Sequence, residues 1–311
     1  MTNSSGVFLS ILIPTWNRYE SVLEAVKSVA PVTEETEVIV VDDGSEEPIA
    51  QRLRDGLRLV PHVKVFRNAV NLGMVRNWNA CISHASGEWM GILCDDDCYN
   101  EGAIERAVSI MKRTSEPSLI LQDPSLNMPM QRCAPGRETV RTLKLPIVSG
   151  NFWHKKIVEK LGGFNERFIY SADAEYWPRI AAHFPVLKIK TAFSVYKRHK
   201  TNYMWTTWRR PDFLEQAGTL TRAVASLSQK DNKAIEEELD AGLWGTLLTI
   251  IESTFLERER SDIFSRYFPE ALNRARGFKR KIGLIKSLLL GAALRTKGFL
   301  RHSSEELPHD H

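Results

Sequence analysis

The sequence predicts an α/β fold with a mainly parallel central sheet flanked by helices, followed by a helical C-terminal region. Three observations carry that expectation. Over the first 125 residues, short apolar runs alternate with stretches whose apolar residues recur at helical spacing. Such alternation implies right-handed strand–helix–strand crossovers and a sheet covered on both faces. From about Pro211 onward, the pattern becomes wholly helical.

Taken in order, "VFLSILIP" (7–14) reads as a buried strand ended by Pro14, and "YESVLEAVKSV" (19–29) as a helix. "EVIVVDDGS" (37–45) is a β-branched strand running into a turn, with a helix-like stretch from Glu46 to about Leu59. "HVKVF" (62–66) is a third strand, and "NLGMVRNWNACISHA" (71–85) a loop and then a helix. "EWMGILC" (88–94) is a fourth strand, followed by a helix over about 101–113, and "SLILQ" (118–122) a fifth strand. Residues 124–150 are Pro-rich and irregular, which suits a functional excursion. "NFWHKKIVEKLGGF" (151–164) reads as a helix closed by Gly162 and Gly163, residues 173–184 as another, and 186–196 as strand-like.

Composition narrows the class. At 311 residues, with 43% hydrophobic and 26% charged residues, the chain can bury a full core. A net charge of +4 does not argue for nucleic acid. Four cysteines in a chain of this length do not make a disulfide framework, and the run Val7–Ile13 is too brief for a signal peptide or a membrane span. A reduced, cytoplasmic protein is the expectation. Residues 271–302 carry nine Lys/Arg and no acid, interleaved with apolar residues. Two readings stand: an interfacial helix on anionic lipid, giving peripheral membrane contact, or a terminal helix packed on its own domain.

Ligands of open parallel sheets bind beyond the carboxyl ends of the strands. There the first strand delivers "PTWNR" (14–18), the second "DDGS" (42–45) and the fourth "CDDDC" (94–98). Asp42 and Asp43 suit turn and N-cap chemistry, while a carboxylate at the strand tip can also accept a hydrogen bond from a nucleotide base. Three adjacent carboxylates, Asp95, Asp96 and Asp97, repel one another, and a hard divalent cation such as Mg²⁺ or Mn²⁺ would compensate them. Cys94 and Cys98 lack the second thiol or His pair that zinc would need.

Together these stretches resemble the inverting, nucleotide-sugar-dependent glycosyltransferases of the GT-A fold, family 2. "SILIPTWNRYESVLEAVKSV", "EVIVVDDGS", "NLGMVRNWNACISHASGEWMGILCDDD" and "LGGFNERFIYSADAEYWPRI" occur in the family's order over roughly residues 7–200. The resemblance implies a catalytic domain over 1–210, with a nucleotide-sugar half at about 7–123 and an acceptor half at about 124–210; the helical region over 211–311 rests on its own helical pattern and lies outside the resemblance. It implies that Pro14, Thr15, Asn17, Arg18, Asp42, Asp43, Arg76 and Asp95 bind the nucleotide-sugar. Relatives commonly have an acid where Cys94 stands, which makes Asp96 the expected metal ligand with Asp95 facing the ribose or metal; read as its own D-x-D, the run gives Asp95 and Asp97 instead. His199 is a further expected ligand, beside Arg198 and Lys200 as diphosphate contacts. Where relatives show Glu-Asp, this chain has Ala172 and Asp173, so Asp173 is the expected general base and Glu175 its substitute. The N-cap of the helix from Ala174 is the other reading of Asp173. Trp153 and Ala172 are expected at the acceptor pocket.

The implied reaction is single displacement with inversion, from a nucleoside-diphosphate sugar, with UDP-sugars favoured, to a hydroxyl of a glycan or lipid-linked acceptor. Its cofactor is Mn²⁺ or Mg²⁺. Two other functions fit parts of the pattern: a non-catalytic glycan-binding or scaffolding protein, and a sugar nucleotidyltransferase. The second expects a Gly-rich loop after the first strand, where this chain has Pro-Thr-Trp-Asn-Arg.

Overall fold

A computed structural model gives the arrangement of residues 6–30, 32–52, 56, 60, 62–143, 147–197, 203–227, 243, 245, 247–251 and 261–275. By internal packing the chain divides into two compact units, residues 1–199 with 226–229, and residues 200–225 with 230–311.

The first unit is built on an eight-stranded sheet in the order β3-β2-β1-β4-β8-β6-β9-β7. Its first half contains β1 (Leu9–Thr15), β2 (Thr36–Asp42), β3 (Val63–Arg67) and β4 (Trp89–Ile92), all parallel. Every residue of β1 and of β2 is buried, which is why both read as continuous apolar runs rather than alternating ones. The helices α1 (Tyr19–Ser28), α2 (Ile49–Arg52), α3 (Met74–His84) and α4 (Ala103–Lys112) follow β1, β2, β3 and the fourth-strand loop in turn. Val22, Ala25 and Val26 of α1, with Ala103, Ile104, Ala107 and Met111 of α4, cover one face in a shared apolar core. At about 25 cal/mol per Å² of apolar surface, such burial is the main source of stability.

Register sets up the site. β1 and β2 pair from Leu9 opposite Thr36 to Thr15 opposite Asp42, so the two strands end together. On the other side of β1, Leu12 faces Ile92, and Leu93 N–H donates to the Leu12 carbonyl at 2.9 Å. Three carboxyl-end loops therefore lie side by side.

Two expectations need correction. Residues 152–154 are not the start of a helix but a strand, β8 (Phe152–His154), antiparallel to both β4 and β6 (Leu119–Gln122). Phe152 and Trp153 are fully buried there, and the helix α6 begins only at Lys155 and runs to Leu161. Tertiary burial of two aromatics outweighs the helical spacing. The excursion 124–150 also holds regular structure, β7 (Met130–Cys133) and α5 (Arg137–Thr142). β7 pairs antiparallel with β9 (Val186–Ile189), which lies parallel to β6, beside α7 (Ala172–His183) in sequence. A separate small ribbon joins β5 (Cys98–Tyr99) to β10 (Ser194–Val195).

The described part of the second unit is helical: α8 (Tyr203–Trp208), α9 (Phe213–Leu227) and α10 (Ser261–Arg274). Tyr267 Oη donates to the Trp208 carbonyl at 2.8 Å, and Arg209 pairs with Asp262 at 2.9 Å. Of the basic segment 271–302, everything after residue 275 lies outside the described residues. No helix among the described residues is long and apolar enough to cross a membrane.

Candidate active site

The loop after β1 is fixed by Asn17, which takes the left-handed conformation (φ 55°) that asparagine tolerates better than most residues. Its N–H donates to Ser45 Oγ, and its Oδ1 accepts from Glu46 N–H, each at 2.8 Å. Asn17 thus ties the first loop to the second. Pro14 is buried within β1 opposite Val41, and the Thr15 hydroxyl is buried beside Asp95 with no partner in hydrogen-bond geometry.

The second loop is organised around its two acids. Asp42 is buried and accepts from Ser45 N–H at 2.9 Å, Ile49 N–H at 3.1 Å and Arg67 Nη1 at 2.5 Å. Burial opposes its charge, but those donors outweigh it and hold the carboxyl below its usual range. Asp43 accepts from Asn68 Nδ2 at 2.8 Å and from the amides of Leu72 and Gly73 at 2.9 and 3.0 Å, fixing the entry to α3. Between them Gly44 sits at φ +70°, so close to the next loop that a Cβ would lie 2.8 Å from Asn71 N. Asp42 therefore shapes its own loop, while Asp43 holds the loop that follows β3.

The Asp triplet occupies a turn closed by Asp97 N–H donating to the Cys94 carbonyl at 3.0 Å. Its charge is compensated from a distance in sequence. Arg18 Nη1 donates to Asp95 Oδ1 at 3.1 Å and also contacts Asp96. Asp97 accepts from Ser149 Oγ at 2.6 Å and from Lys197 N–H at 3.1 Å. Burial raises the Asp95 carboxyl to about 6, against the opposing pull of Arg18.

Cys94 Sγ and one oxygen each of Asp96 and Asp97 lie within 4.8 Å of one another. Carboxylates at this separation suit a hard divalent cation. The thiol does not: burial, reinforced by the neighbouring carboxylates, pushes Cys94 well above its usual value, so no thiolate is offered. The donor set thus fits Mg²⁺ or Mn²⁺ through Asp96 and Asp97.

Asp173 stands in the first turn of α7, accepting from Ala174 N–H at 2.9 Å. Burial raises its carboxyl from 3.8 to about 6, the two local backbone donors only partly opposing. Among the described residues it shares no hydrogen bond with the triplet. Glu175 is differently placed: it is buried and forms a two-point ion pair with Arg179 at 2.8 and 3.0 Å. Arg179 also donates to the carbonyls of Leu161 and Gly163 at 2.7 and 2.8 Å. Asn79 grips the same segment from α3, accepting from Phe164 N–H at 2.9 Å and donating to its carbonyl at 3.0 Å. Glu175 is therefore a strut of the Gly-Gly-Phe segment, which disfavours it as a substitute base.

Trp153 and Ala172 are both fully buried. Trp153 packs among Phe164, Tyr176 and Trp177 in the interior, with no exposed face to offer an acceptor. Arg76 pairs with Glu166 at 3.0 Å on the surface. His199, with Arg198 and Lys200, lies outside the described residues. Sequence reasoning missed Ser149, Asn79 and Arg179. Only Arg179 carried a local signal, its four-residue spacing from Glu175.

Residues 10–122 match the family described as "Glycosyl transferase family 2". The match takes in β1 to β6 and the three loops that carry Asn17, Asp42 and the Asp triplet. The domain is 29% identical over 113 residues to a protein of Haemophilus influenzae described as an uncharacterized glycosyltransferase, covering 36% of this chain and 37% of that one. The chain thus spans little more than a third of that curated relative's length. YwdF of Bacillus subtilis, also described as an uncharacterized glycosyltransferase, is 23% identical over 204 residues, 60% of this chain and 73% of its own. Among solved structures, Staphylococcus aureus TarS 1–349 in complex with UDP-GlcNAc superposes with a TM-score of 0.59 at 16% identity, covering 94% of this chain and 92% of that one. The Pyrobaculum calidifontis mannosyltransferase PcManGT, in complex with GDP-Man and Mn²⁺, gives 0.54 at 14%, covering 92% and 86%. These likenesses show the fold, which is of the GT-A type.

Proposed function

We propose that the chain is an inverting glycosyltransferase that moves a sugar from a nucleoside-diphosphate sugar, UDP-sugars being favoured, to a hydroxyl of a glycan or lipid-linked glycan. The observation that carries the reading is the clustering of Asp95, Asp96 and Asp97 with Arg18 beyond the carboxyl ends of β1 and β4. That is where an open α/β sheet binds its ligand. TarS with UDP-GlcNAc and PcManGT with GDP-Man and Mn²⁺ share the fold and support a nucleotide-sugar donor.

In this reading Asp96 and Asp97 hold a divalent cation. When bound, that ion supplies charge stabilisation to the departing diphosphate. Asp173 takes the proton of the acceptor hydroxyl as its oxygen bonds to the anomeric carbon. The bond from that carbon to the diphosphate oxygen breaks on the opposite face, and its electron pair leaves with the nucleotide. A carboxyl raised by burial to about 6 is ionised at neutral pH yet basic enough to accept that proton. Thr15, Asn17, Arg18 and the two loop acids keep the donor edge preformed, so orientation precedes chemistry.

The test is thermal-shift screening of UDP, GDP and dTDP with and without Mn²⁺, followed by transfer assays. A ligand that binds only the folded state raises its melting temperature. If no nucleoside diphosphate shifts melting, the reading fails.

A further inference from the structure

We propose that Ser149 is a positioning residue of the donor site, acting on Asp97 from the opposite half of the domain. The inference rests on the reading of Asp97 as an ion ligand given above. Ser149 is fully buried in the turn before β8, more than fifty residues from the triplet in sequence. Its hydroxyl accepts from Cys94 N–H at 3.0 Å and donates to Asp97 Oδ2 at 2.6 Å. A hydroxyl has one proton, and with the Cys94 amide supplying its own, that proton is committed to the carboxylate. One side chain thereby spans both ends of the turn that presents Asp95, Asp96 and Asp97.

The second oxygen is also engaged, since Asp97 Oδ1 accepts from Lys197 N–H at 3.1 Å. With a donor on each oxygen, the plane of the carboxylate is fixed before any ion arrives. Ser149 is itself anchored. Its carbonyl accepts from Gln122 Nε2 at 2.8 Å, and Gln122 Oε1 accepts from Phe193 N–H at 2.8 Å and Ser194 N–H at 3.3 Å. Gly150 follows at φ +80°, where a Cβ would lie 2.5 Å from Ser194 Oγ, so the turn has no room to relax. Donors that orient a ligating carboxylate typically govern metal affinity by 10–100-fold. A short, charge-assisted bond in a dry setting is of the strong kind.

The experiment uses the full chain, titrating UDP by calorimetry in EDTA and across a Mn²⁺ series. Ser149→Ala is expected to raise the Mn²⁺ concentration needed for half-maximal UDP binding by about tenfold. It is expected to leave binding in EDTA unchanged, and Ser149→Thr, which keeps the hydroxyl, should recover most of the loss. Equal weakening with and without Mn²⁺, or no change in either, overturns the positioning role. If Ser149→Ala does not fold, Ser149→Cys, of similar size and with a far weaker donor, is read the same way; failure of both to fold makes the role structural and also overturns it. Wild-type protein that binds none of UDP, GDP and dTDP with Mn²⁺ sinks the proposed function instead, so the two failures are distinguishable.

Discussion

Arg18 reaches from the loop after β1 to the Asp triplet after β4, with Nη1 3.1 Å from Asp95 Oδ1 and in contact with Asp96 as well. One guanidinium thus screens two of three adjacent carboxylates in a partly buried turn. Arg18→Met removes the guanidinium that the two share. In EDTA the variant is expected to lose about 1–3 kcal/mol of stability in urea unfolding. Mn²⁺ should then raise its melting temperature more than that of the wild type, because the cation replaces the missing charge. Equal Mn²⁺ responses would remove this account of the triplet.

Asp173 gives a prediction in two parts. With its carboxyl at about 6, turnover should fall about tenfold per pH unit below that value and level off above it. Asp173→Asn should abolish transfer and leave UDP binding nearly intact. The sign for stability is opposite. The folded carboxyl binds its proton more tightly than the unfolded one, at 3.8, so ionisation above about 6 works against folding, and the penalty vanishes as pH falls below about 4. At pH 7 the asparagine variant should therefore be more stable, by roughly 1–2 kcal/mol once the carboxyl's partial exposure is allowed for. A destabilised, active variant would contradict both parts.

Glu175 separates a structural acid from a catalytic one. Glu175→Gln leaves the half-buried Arg179 without its carboxylate while that arginine still carries the Leu161 and Gly163 carbonyls. Breaking one side of a buried pair costs about 3–5 kcal/mol. The expected readout is a large fall in the urea midpoint, with kcat per folded molecule reduced far less than in Asp173→Asn. A stable protein with no activity would return Glu175 to the chemistry.

Gly44→Ala probes the contact between the second and third loops. The left-handed conformation alone costs roughly 1–2 kcal/mol for a non-glycine residue. The new Cβ would also meet Asn71 N and the Val70 carbonyl carbon at 2.8 Å. Lower melting temperature and weaker UDP binding should appear together. A variant with wild-type melting and binding would show that the loops have slack there.

The sheet's first half was legible because its strands are buried on both faces and so appear as unbroken apolar runs. The acids at their ends were visible for the same reason, as breaks in those runs. What could not be read was which group answers which. Arg18 and Ser149 reach the triplet only after chain folding brings positions 18, 95–97 and 149 together, and neither residue is unusual in its local sequence. Asp42 and Asp43 showed the converse: their turn chemistry was evident, yet only the structure displays carboxylates that each accept from three donors. Phe152–His154 was misread because three residues before a helix give too little pattern to mark a strand.

The place of β8 has a consequence for how this domain can be cut. The family match ends at residue 122, the last residue of β6, but β6 is not the neighbour of β4 in the sheet. β8 lies between them, antiparallel to each. A fragment stopping at residue 122 would carry β4 with a bare edge and β6 with nothing to pair it to the rest. Unpaired edges of that kind template aggregation. Truncations or chimeras joined at that boundary should therefore be insoluble, whereas those that retain residues through β10 keep every strand from β1 to β6 bonded to its partners.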